Sequence, residues 1–308
     1  MSFFRKSLLI MCSLLIATAV LVPAGAVHAA DQKWINQVWS DYKAFNKKTV
    51  DTYNKYQARI EQDYKRFNDK SQAALDELER KVLEDQEHWV QLLNDDYEAL
   101  SARYADGSLN MRNQLMKYNR YINPGHMGSP MYNYARQANI GMLNSTMWKL
   151  DKELNDAFLN SYMWTYREAI NPASLNSSAF KFKNTVNESY LNSAMYKLRN
   201  ASSSSSLNSP MWKYKMGRIS KTAAKNEYNK LFKKYTTEMS QSNAVRKKEI
   251  ADMASSTQKK VEQLYIQTVL SLEEQREKTL QSISDLRKEI TGEGLEWEPL
   301  FEEDEIKF

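Results

Sequence analysis

Between Met111 and Thr222 the chain repeats itself every sixteen residues. The seven blocks begin at Met111, Met127, Leu143, Leu159, Leu175, Leu191 and Leu207, without insertion or deletion. The third position is Ser in all blocks after the first, from Ser129 and Ser145 to Ser209. The second is Asn in the last five blocks (Asn144, Asn160, Asn176, Asn192, Asn208), and the thirteenth is Asn in the first five (Asn123, Asn139, Asn155, Asn171, Asn187). The fifth position is apolar, mostly Met, and the eighth is Tyr, Phe or Leu. Period and phase kept over this length mean one small structural element stacked repeatedly, each copy covering its neighbours.

The positions of Ser, Pro and Asn say what that element is. Ser at position three, Pro130 and Pro210 at position four, and apolar residues at five, eight and twelve read as N-cap, first helical residue and one helix face. Asn at thirteen, followed directly by Pro124 and Pro172 in two blocks, reads as the stop. Each block is therefore expected to be a helix of roughly nine residues and a short connector. A single continuous helix is disfavoured, because sixteen residues at ~100° each turn the apolar face by ~160° per block. Aromatics at six and eight around Lys117, Lys149, Lys181, Lys197 or Lys213 also alternate like a strand, which is the competing reading. The run Ser202 to Ser206 marks the sixth block as the loosest.

On both sides of the array the pattern changes to long helices. From Ile35 through Tyr42, Tyr53, Tyr64, Leu78, Trp89 and Leu100 to Tyr104 the apolar residues advance by about 3.6 positions per step, with no Pro or Gly before Gly107. A second such stripe runs through Tyr228, Phe232, Ile250, Val261, Leu272 and Ile290 and is closed by Gly292 and Gly294. Arms of similar length flanking an insert are expected to fold back as an antiparallel hairpin, a coiled-coil-like stalk, with a dimeric rod as the alternative. The expected fold class is all-α. Its divisions are a leader at 1–29, arm 1 at 30–106, the repeats at 107–222, arm 2 at 223–291 and a tail at 292–308.

The leader carries Arg5 and Lys6, an uncharged run from Ser7 to Val22, and small residues Val27 and Ala29, the layout of a secretory signal cleaved after Ala29. Cleavage removes Cys12, the one cysteine, so the mature chain is expected to be extracytoplasmic, thiol-free and without a transmembrane segment. Stabilisation by packing alone outside the cytoplasm suits a bacterial protein. Cysteine catalysis and Cys-based metal sites are excluded. His88 and His126 have no companion at ligand spacing, no nucleophile elbow or phosphate loop occurs, and no enzyme, cofactor or metal is expected.

Charge then points to a function. The net charge of +5 conceals an array with 15 Lys+Arg against 5 Asp+Glu between Met111 and Thr222, set beside acidic segments. A basic array with aromatics at position six suits an anionic envelope or extracellular polysaccharide better than nucleic acid. The candidate binding residues are Tyr132, Trp148, Trp164, Phe180, Tyr196 and Trp212, for stacking, with Lys149, Lys181, Lys197 and Lys213 for charge. The alternative reading of positions five, six and eight is core between stacked repeats. Two further functions compete: a surface-layer or matrix protein that self-associates through arms or repeats, and a membrane-active helical protein. The tail alternates Glu residues with Leu295, Trp297, Leu300, Phe301, Ile306 and Phe308, and reads either as a docking peptide for a basic surface or as a frayed acidic end.

Overall fold

A computed structural model describes residues 24–302 and 306–308, with side chains from Asp31 onward. Most of the expected leader thus lies outside the described residues. Every regular element among those described is helical. Helix α1 runs Ala24–Ala105. Seven short helices follow: α2 (Arg112–Ile122), α3 (Pro130–Ala138), α4 (Thr146–Leu154), α5 (Tyr162–Ile170), α6 (Ser178–Val186), α7 (Ala194–Ser202) and α8 (Pro210–Lys215). Helix α9 covers Lys221–Thr291.

The short helices begin and end where Ser and Asn stand. Ser161 Oγ accepts the N–H of Trp164 at 3.0 Å, capping α5. The same hydroxyl donates to the carbonyl of Asn155, the C-cap of α4, at 2.7 Å. Asn155 Oδ1 in turn accepts the N–H of Ala157 at 2.9 Å, an Asx turn. One serine therefore satisfies orphan groups at the end of one helix and the start of the next. Ser129, Ser145, Ser177, Ser193 and Ser209 repeat this pair of bonds. The residue before each serine has φ between 62° and 68° in Asn144, Asn160, Asn176, Asn192 and Asn208. In the block where Asn is missing, Gly128 takes the position with φ 83°, because only Gly or Asn enters the left-handed region cheaply.

The serine run does not loosen the sixth block. Ser203 stands where Asn stands elsewhere, its carbonyl accepts from Ser209 Oγ at 2.6 Å, and Ser202 is fully buried in α7. A small hydroxyl thus reproduces the Asn turn. The first block, which has Asn113 instead of Ser, starts without a side-chain cap at Met111.

The chain divides into two units, Met1–Val50 with Val186–Met239 and Asp51–Thr185 with Ser240–Phe308. In the larger unit, Asp85 pairs with Arg276 at 2.9 Å and Asp96 with Arg287 at 3.1 Å. Moving eleven residues up α1 therefore moves eleven residues up α9, and the two long helices run parallel. The array descends against them: Tyr118 donates to Asp96 at 2.8 Å, Tyr134 to Asp85 at 2.9 Å, and the Phe182 ring lies 5.0 Å from Tyr53. The smaller unit, taken by itself, has the same sense. Lys221 bonds Asp31 at 3.2 Å and Phe232 packs on Phe45 at 5.6 Å, while Glu188 accepts from Tyr42 and Tyr214 packs on Trp34 at 5.5 Å. The expected antiparallel hairpin is thus corrected to parallel arms. That expectation placed the insert at the tip of the hairpin, whereas the insert is itself the returning segment.

Positions five and eight of the blocks form the core against the long helices. Met131, Met147, Met163, Met195 and Met211 are fully buried, and so are Tyr118, Tyr134, Leu150 and Leu198. The hydroxyls of Tyr118 and Tyr134 are pushed far above the usual phenol range, first by burial and then by the facing carboxylates, so they stay protonated and donate to Asp96 and Asp85. Asp85 also accepts Trp89 Nε1–H at 3.1 Å, and Arg276 caps the carbonyl of Glu298 at 2.9 Å.

That last bond belongs to the docked tail. Leu300 N–H donates to Glu273, whose carboxyl is pushed up by burial, and Leu295 N–H donates to Ser284 Oγ at 2.8 Å. Phe301 is buried, and the Phe308 ring packs 5.5 Å from Tyr265 with Lys70 Nζ 4.8 Å away. The tail therefore docks, but on the long helices and through backbone and apolar contacts, while the array is not its partner in these bonds.

Two predictions follow from these bonds. Asn176→Gly is expected to leave stability within about 0.5 kcal/mol, whereas Asn176→Val, forced to φ 68°, costs about 1–2 kcal/mol in urea unfolding. Asp85→Ala leaves Arg276 Nε, the Tyr134 hydroxyl and Trp89 Nε1 without their shared acceptor, with Glu273 still paired to the other side of the guanidinium, and is expected to cost about 3–5 kcal/mol.

Candidate functional site

The caps that define each block also fix what it shows to solvent. With positions five, eight and twelve turned inward, positions six and seven stand at the flank and outside of each short helix. Tyr132, Trp148, Trp164, Phe180, Tyr196 and Trp212 are all half-buried, neither core nor free platforms. Two of them are already in contact with cations of the same chain: Lys152 Nζ lies 5.6 Å from the Trp148 ring and Arg218 lies 4.4 Å from the Trp212 ring. Of the four candidate lysines, Lys149 and Lys181 are exposed. Lys197 and Lys213 instead pair with α9 through Glu238 at 3.2 Å and Glu227 at 2.7 Å.

Exposure divides the array's charges by sign. In the larger unit the exposed charged residues of the array are Arg112, Lys117, Arg120, Arg136, Lys149, Lys181 and Lys183, all cationic. Its acids are turned inward: Glu153 accepts Tyr162 N–H, Asp156 accepts the Tyr64 hydroxyl at 2.7 Å, Glu168 accepts from Ser174, and Asp151 is half-buried. In the smaller unit, Glu188, the acid of its array segment, is likewise occupied by Tyr42 and by Asn46 at 2.9 Å. The acids thus serve the packing, and the charges left exposed are cationic, while Lys152, Arg167, Lys197 and Lys213 are half-buried.

A second exposed feature was not among the sequence candidates. The first residue of each block after the first sits in the connector, directly before the left-handed Asn or Gly, and it is apolar. In the larger unit Met127, Leu143, Leu159 and Leu175 are between 63% and 81% exposed. In the smaller unit Leu191 and Leu207 occupy the same local position and are similarly exposed. Phe158 and Met142, one residue earlier, are also exposed. The signal was present, since Leu recurs at a turn position where Asn, Ser or Gly is favoured, but an apolar residue in a repeat reads first as core.

Among the described residues no group of His, Cys, Asp and Glu could hold a metal ion, and no helix is long and apolar enough to cross a membrane. His88 and His126 are both exposed and belong to separate elements. A shallow hollow of about 410 Å³ between α2, α3 and α9 is lined by Lys117, Tyr121, Pro130, Lys278 and Glu289 and lies open to solvent. No protein-family model, curated protein or solved structure matches the chain.

Because the connector tips are mostly exposed, Leu159→Asn is expected to leave the stability from urea unfolding within about 0.5 kcal/mol of the parent. Met163→Ala, one helix turn inside, is expected to cost about 2–5 kcal/mol.

Proposed function

We propose that this protein is an exported, non-enzymatic scaffold of the cell envelope. Its long helices hold the short-helix array as a binding surface for anionic polymer. The observation that carries this reading is the sorting of charge, in which the array's acids are engaged in packing while the charges it exposes are cationic. Such a surface attracts polyanions over about a Debye length, so binding weakens as salt rises. Contact is made mainly by charge, with Lys149, Lys181 and Lys183 at its centre. The position-six aromatics contribute their exposed edges, since Trp148 and Trp212 already carry their own cations. The arms' apolar stripes are consumed inside each unit, which favours the array over the arms as the interacting element.

The mature chain, residues 30–308, is expected to be retained on isolated cell-wall sacculi or an immobilised anionic polysaccharide at low salt and to elute as salt is raised. Lys149→Glu, Lys181→Glu and Lys183→Glu combined are expected to weaken retention at least tenfold, whereas Trp164→Ala weakens it little. Passage of the parent protein through the matrix at low salt defeats the proposal. The whole chain is used because the core positions of the array are covered by the long helices.

A further inference from the structure

The connector tips of the larger unit place apolar side chains where neither folding nor turn chemistry asks for them. Each tip is held rigidly. At the fourth block, Phe158 N–H donates to Asn155 O at 3.1 Å, Ser161 N–H to Phe158 O at 3.1 Å, and Ser161 Oγ to Asn155 O at 2.7 Å, with Asn160 locked at φ 63°. Leu159 therefore projects from a braced turn, so little side-chain and backbone freedom is lost when it enters a partner. The same bracing recurs at Leu143 and Leu175, with Gly128 in place of Asn after Met127.

The spacing and the charge together select the partner. Sixteen residues of array advance by eleven residues of α1, from Asp96 at Tyr118 to Asp85 at Tyr134. That is three helical turns, or roughly 16 Å, between successive tips. Apolar knobs so far apart do not form the continuous apolar centre that a protein interface needs. A second copy of the array would also bring its own exposed cations against Lys149, Lys181 and Arg136. A soluble polyanion matches the cations and leaves the leucines unused. An anionic bilayer uses both, since isolated apolar side chains enter the headgroup boundary while the exposed Lys and Arg of the array meet the lipid phosphates.

We infer that Met127, Leu143, Leu159 and Leu175 are membrane-contacting tips, and that the array binds the surface of an anionic lipid bilayer without spanning it. The electrostatic half of this contact rests on the cationic-array reading above. The apolar half rests on the tips.

The test uses the mature chain with vesicles of phosphatidylcholine containing phosphatidylglycerol, vesicles of phosphatidylcholine alone, and the immobilised anionic polysaccharide. The parent is expected to sediment with the anionic vesicles. Leu143→Asn, Leu159→Asn and Leu175→Asn combined, with an unchanged unfolding midpoint, are expected to weaken vesicle binding about a hundredfold or more and to leave polysaccharide retention unchanged. Because the mature chain has no cysteine, Leu159→Cys carrying an environment-sensitive fluorophore reads insertion directly, by a blue shift on anionic vesicles. Equal vesicle binding by parent and triple variant, or no blue shift, overturns the inference. Polysaccharide retention without vesicle binding overturns it while leaving the cationic-array reading intact, and absence of both removes the two together. Concentration-dependent dimerisation of the parent, abolished in the triple variant, assigns the tips to a second copy and overturns the lipid assignment.

Discussion

The fold depends on a match between two periods. The array repeats every sixteen residues, and the facing arm positions recur every eleven, as Asp85 and Asp96 on α1 and Arg276 and Arg287 on α9 show. Eleven residues are three turns and rotate the helix face by only ~20°, so successive blocks meet nearly the same stripe. If the steps were unequal, Tyr134 would not reach Asp85 when Tyr118 reaches Asp96. The carboxylate layers, buried at Asp85 and half-buried at Asp96, enforce that register, since sliding the array by one residue would separate each charge and tyrosine hydroxyl from its partner.

The register in turn fixes the surface. Once positions five, eight and twelve are committed to the core, the acids nearest the long helices become acceptors for Tyr64, Tyr42 and Tyr162 N–H. The lysines at position seven are left outside, or pair with α9 where that helix offers Glu238 and Glu227. The Ser bridge and the left-handed Asn fix the turn of each connector, and its first residue stands exposed. Packing and display are therefore two consequences of one set of caps.

Much of this was legible residue by residue. Ser161 as a cap, Asn155 as a stop, Pro130 and Pro210 at the first helical position and Gly292 after α9 are local rules, and the structure obeys them. The burial of positions five and eight also followed from periodicity. The direction of α9 did not, because an amphipathic stripe looks the same read either way and says nothing of where the intervening segment lies. The candidate site was legible in its charge but not in its details. No local pattern says that Lys197 and Lys213 find partners on α9, that the acids turn inward, or that the leucines of position one stay outside.

The sequence by itself determined the elements: two long helices, seven short ones of which six carry a Ser cap, and the net positive charge of the array, because caps, stops and helical stripes are set within a few residues of chain. Only the tertiary structure decided that the arms run parallel, that the tail docks on them, and which charges and apolar side chains face the solvent. Those outcomes rest on contacts between residues as far apart as Asp85 and Arg276, whose pairing is settled by which faces can be buried together.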